Sequence, residues 1–82
     1  MEEWMFSWTM AEAKRDFKMG HLKGFTLERE VMGDGWYLTL KHGGGVGPLV
    51  DAREKQPRMF RSLDAAIAAA EQVGFRVVAL VG

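Results

Sequence analysis

Any chemistry in this 82-residue chain must come from two histidines, two serines and scattered carboxylates, because it contains no cysteine. His21 and His42 stand apart, with no HxH, HxxxH or HExxH spacing to place two imidazoles on one metal. Ser62 precedes an apolar helical pattern and reads as a helix cap, not a nucleophile, and Ser7 has no base beside it in sequence. Glu28 and Glu30 fall on one strand face, where contact with water leaves them ordinary acids. The run Gly43-Gly44-Gly45-Val46-Gly47-Pro48 lacks the Gly-Lys-Ser/Thr ending of a phosphate loop and fails the GxGxxG spacing. No helix opens after it to hold an anion, so the run is expected to be a mobile hairpin loop. The pattern predicts a non-catalytic protein with no metal, no cofactor and no evident small-molecule substrate.

Surfaces remain. The formal charge is zero, yet residues 14–23 and 53–61 each sum to +3, while residues 1–12 sum to −3 and 24–52 to −2. Arg53, Lys55, Arg58 and Arg61 run toward the start of a helix, and such side chains reach phosphates well. Tyr37, Thr39 and Lys41 share the polar face of a strand; Tyr37 and Lys41 complete a candidate nucleic-acid surface if that face is open. DNA is the partner this surface implies; a solvated turn is the alternative for the same charges. Trp4, Phe6, Trp8 and Met10 alternate along the N-terminus and form a candidate dimer interface, unless the arm folds back as core.

The elements that would position these residues follow from period and punctuation. Thr9-Met10-Ala11-Glu12 is a capping box and Gly20 a C-terminal stop, which predicts a helix over about 10–19. Phe25, Leu27 and Val31 alternate with Thr26, Glu28 and Glu30, and Trp36, Leu38 and Leu40 alternate with Tyr37, Thr39 and Lys41. Gly33-Asp34-Gly35 between them predicts a hairpin, with positive φ expected at Gly35. Residues 49–53 are long enough for a third strand, and Pro57 bars a regular ladder after it. Ser62 caps a helix with an apolar stripe of Leu63, Ala66, Ile67, Ala70 and Val73, stopped by Gly74 and Phe75. Residues 75–81 then read as an apolar strand.

The expected fold is α+β in one domain over 1–82. An antiparallel sheet of three to four strands is packed by an alanine-rich helix, with a short N-terminal helix and an extended arm. No apolar run approaches the roughly 20 residues of a membrane span. The acidic start Met1-Glu2-Glu3 is unlike a signal peptide, and the lack of cysteine fits a cytoplasmic location.

The stretch Trp36-Tyr37-Leu38-Thr39-Leu40 followed by Phe60-Arg61-Ser62-Leu63-Asp64-Ala65-Ala66 resembles plant ethylene-response-factor DNA-binding domains and the arm-binding domains of phage-type integrases. Both lay a three-stranded sheet in a major groove; this chain lacks their dense strand arginines and adds residues 75–81. The helix–three strands–helix order is also similar to the double-stranded-RNA-binding domain, without that family's lysine pair at the second helix. Over most of its length, including Ser7-Trp8-Thr9-Met10-Ala11-Glu12-Ala13 and Gly74-Phe75, the chain resembles small accessory proteins of bacterial plasmids and integrative elements. That resemblance implies DNA maintenance. The expected function is a dimeric DNA-associated accessory module; the alternative is a protein-interaction adaptor that uses the apolar arm and a sheet edge.

Overall fold

The computed structural model describes residues 6–31, 33 and 35–76. Its elements are α1 (Met10–Lys18), β1 (Leu22–Arg29), β2 (Trp36–His42), β3 (Gly45–Pro48), β4 (Met59–Phe60) and α2 (Leu63–Val73). The class is α+β: β1, β2 and β3 are antiparallel neighbours, and β4 pairs with the Trp36–Tyr37 end of β2.

Both helices form where side chains replace the missing backbone partners of a first turn. Thr9 Oγ1 accepts the Glu12 N–H at 3.2 Å while Glu12 Oε1 accepts the Thr9 N–H at 2.9 Å, completing the expected capping box. Ser62 Oγ accepts the Ala65 N–H at 3.1 Å at the start of α2. At the other end, Gly74 takes φ +135°, and the Phe75 N–H reaches back to the Ala70 carbonyl at 3.2 Å. This stop turns Phe75 onto Phe17 of α1 and Phe25 of β1, with ring centroids 4.8 and 4.9 Å away. Small side chains let α2 lie close to the sheet: Ala66, Ala69, Ala70 and Val73 are buried with Leu38 and Leu40 of β2.

The arm is part of this core. Trp8 bridges Leu49 in parallel, donating its N–H to the Pro48 carbonyl at 3.2 Å and accepting the Val50 N–H at 2.7 Å. Its indole is buried at 4% exposure, and Phe6 and Met10 pack half-buried on the same cluster. Trp8 is thus taken up within the chain, while Phe6 and Met10 keep part of their surface open. Trp4 lies outside the described residues, as do Asp34 of the hairpin turn and residues 77–81 of the expected last strand. Phe75 and Arg76, which open that stretch, are not in a strand.

Three expectations are corrected. The glycine run is not a loop throughout: Gly43 and Gly44 turn the chain, and Gly45–Pro48 is β3, paired with Thr39–His42. The third strand is accordingly shifted from 49–53, where Leu49 and Val50 make only isolated bridges. Val31 does not join Phe25 and Leu27 on the inner face, because β1 ends at Arg29 and Val31 is 94% exposed in the turn.

The positive φ expected at Gly35 involves Asp34, which lies outside the described residues; Gly35 itself is buried, and the Met59 side chain lies where a Cβ would stand. Gly35→Val is therefore expected to lower stability by about 1–3 kcal/mol through overpacking, measured from the urea midpoint. Met59→Ala in that background should recover part of the loss. An unchanged midpoint in Gly35→Val would mean that Met59 does not cover the turn.

Candidate nucleic-acid interface

Between the Val50–Pro57 bridge and itself, the chain makes a tight loop organised by one carboxylate. Asp51 Oδ1 accepts the Arg53 N–H at 2.7 Å and the Glu54 N–H at 3.4 Å. The Asp51 carbonyl takes the Lys55 N–H at 2.8 Å, and the Asp51 N–H meets the Gln56 carbonyl at 2.9 Å. These amides hold the Asp51 carboxyl below its ordinary range, Arg53 and Glu54 first, with the charges of Arg53 and Arg58 adding to them. Within the loop Lys55 has φ +60°, the only positive φ at a non-glycine position among the described residues.

Arg53, Lys55, Arg58 and Arg61 are all exposed. Arg53 and Lys55 stand in the loop, whereas Arg58 follows it with its guanidinium 5.2 Å from the centre of the Phe60 ring. Arg61 precedes the α2 cap and lines a shallow cleft of about 410 Å³ with Glu30, Gly35 and Met59. Arg53 and Lys55 thus share the loop, while Arg58 and Arg61 flank β4, Arg61 beside Glu30.

The other two candidates sit elsewhere. Tyr37 and Lys41 lie on the sheet face opposite the buried Leu38 and Leu40, separated by about 13 Å of strand. Carboxylates of β1 and of the residue just after it accept the hydroxyls of this face: Tyr37 Oη donates to Glu30 at 3.1 Å and Thr39 Oγ1 to Glu28 at 2.9 Å. Loss of water around the phenol, then Glu30, raises the Tyr37 pKa above its usual value. Two acids among Tyr37, Thr39 and Lys41 repel phosphate and occupy the donors that bases would need. The sheet face and the loop edge are therefore not one surface.

The remaining polar groups are assigned to structure. His42 Nδ1 accepts the Gly44 N–H at 3.0 Å, which stabilises the β2–β3 turn, and the ring stacks on Phe6 at 5.2 Å. His21 comes within 6.3 Å of it, yet no group of three histidine or acidic side chains among the described residues is placed to hold a metal ion. A second cleft of about 410 Å³ lies between the arm and α1, lined by Phe6, Ser7, Trp8, Glu12, Arg15, Asp16 and His42. There Asp16 is engaged on both oxygens, by the Trp8 Nε1–H at 2.8 Å and the Arg15 Nε–H at 3.5 Å. Glu12 is engaged by the Thr9 amide, so this cleft presents no spare acid–base pair. Among the described residues, no helix is long and apolar enough to cross a membrane.

No family model, curated protein or solved structure matches this chain. Its function must be argued from its own side chains. The residue that sequence reasoning missed is Asp51, and its signal was an aspartate opening a polar segment, where a side chain often closes a turn on its own backbone.

Proposed function

We propose that the chain is a non-catalytic module that associates with duplex DNA through the edge formed by Arg53, Lys55, Arg58 and Arg61. The observation that carries this reading is the exposure of all four cations, in the 51–56 loop and on either side of β4, with Asp51 engaged by loop amides. Contacts of this kind go to phosphates, so they set affinity and not sequence preference. The acidic Glu28–Glu30 side of β1 keeps the open sheet face out of the groove, unlike the sheet-in-groove mode that the resemblance to ethylene-response-factor domains implies. Tyr37 and Lys41 drop out of the contact set for the same reason.

The test is binding to generic duplex DNA as a function of salt. Arg58→Ala combined with Arg61→Ala is expected to weaken binding and to reduce the slope of log K against log salt by about two. The melting temperature should stay nearly unchanged, since both side chains are exposed. If the unmodified protein shows no affinity for duplex DNA at low salt, the reading is wrong. A second reading, a partner protein on the open sheet face, draws on the exposed Met59 beside Tyr37 and Val46 beside Lys41. It predicts that Tyr37→Glu abolishes capture of that partner and leaves DNA binding untouched.

A further inference from the structure

We infer that Lys55 contacts DNA phosphate from a loop built in advance of binding; the inference rests on the DNA reading above. Lys55 occupies a left-handed backbone conformation at φ +60°, which glycine or asparagine adopts at lower cost than a long side chain. The rest of the loop enforces that conformation. The Lys55 N–H is tied to the Asp51 carbonyl, and the Asp51 N–H to the Gln56 carbonyl, so residues 51–56 close on themselves. Asp51 Oδ1 fixes the two intervening amides of Arg53 and Glu54. A lysine held in this way has little backbone entropy left to lose when a phosphate arrives.

The loop also adjoins the other basic segment. The carboxyl of Glu12 is lowered first by the Thr9 amide, and Lys55 and Arg15 then add to the effect, so both cations stand near this acid. That neighbour supplies the competing account, in which Lys55 is retained to attract Glu12 within the chain. The two accounts differ in sign for one substitution.

Lys55→Gly removes the ammonium and relieves the backbone. On the DNA-contact account, its melting temperature equals or exceeds that of the unmodified protein by up to about 5 °C. Its affinity for a generic duplex at 0.1 M salt falls roughly 3- to 10-fold, and the salt slope shrinks by about one contact. Lys55→Arg, which keeps a cation on the same backbone, retains the slope. A Lys55→Gly protein that melts several degrees lower would assign the lysine to Glu12 and overturn the inference. So would unchanged affinity and slope while the unmodified protein binds. A complete lack of binding by the unmodified protein would instead remove the DNA reading itself, and this inference with it.

Discussion

Replacing Trp8 with alanine is expected to remove about 3–5 kcal/mol of stability, enough to unfold much of the population at 37 °C. A domain of this length has roughly 4–12 kcal/mol in total. Trp8 joins three parts of the molecule: its backbone bridges Leu49, its ring fills the core, and its Nε1–H binds Asp16 of α1 at 2.8 Å. Trp8→Phe separates these parts, because it keeps a ring and discards the indole donor. The Asp16 carboxyl is lowered chiefly by that donor, so its ionised form is favoured in the folded state. A depressed carboxyl contributes stability above its unfolded pKa and loses that contribution as pH falls through its folded pKa. The deficit of Trp8→Phe relative to the unmodified protein should therefore be largest near neutrality and should narrow as the pH falls below the ordinary aspartate pKa of about 3.9. Urea titrations at several pH values measure it. A deficit independent of pH would mean that the indole–carboxylate bond contributes nothing beyond packing.

How much of this was readable in advance depends on the range of the interaction involved. Thr9 with Glu12, Ser62 with Ala65, and Gly74 with Phe75 are contacts within six residues, and residue type alone specifies them. Period two placed Leu38 and Leu40 on the buried face of β2 for a similarly local reason. The glycine run defeated the same logic. Gly45–Pro48 has almost no strand propensity, and it becomes β3 because β2 offers a ladder and Phe6 covers its far side. The two-residue β4 has no periodicity to detect, and Asp51 closes its loop in a stretch that the apolar Leu49-Val50 pair made look extended.

The candidate site divides along the same line. Clustering of Arg53, Lys55, Arg58 and Arg61 is a property of the sequence, and their exposure agrees with it. Which charges they meet is not. Glu30 reaches Tyr37 and Glu28 reaches Thr39 only because β1 and β2 pair in the register that sets Glu28 opposite Tyr37 and Thr26 opposite Thr39. A shift of one residue would have sent both acids to the other face. The apolar arm was ambiguous for a related reason. A docked partner and a folded-back core strand bury the same side chains, and only the Trp8–Leu49 bridge assigns Trp8 to its own chain.

That bridge depends on a position where no side chain fits. A Cβ placed on Gly47 would coincide with the carbonyl oxygen of Phe6, which is backbone and has no rotamer by which to move away. Gly47→Ala is thus expected to displace the arm from β3 and expose Trp8, with a loss of about 2–4 kcal/mol. Gly43→Ala is the matched control, since a Cβ there meets nothing within 4 Å, and it should stay within about 0.5 kcal/mol of the unmodified protein. Fluorescence in a background with Trp4 and Trp36 changed to phenylalanine isolates Trp8, whose emission should shift to the red in Gly47→Ala alone. The two substitutions are chemically identical and lie four residues apart in one glycine-rich run. Generic flexibility of the run would make their effects alike, and close approach of the arm makes them unequal. Equal effects at the two positions would show that Phe6 to Trp8 does not run beside β3.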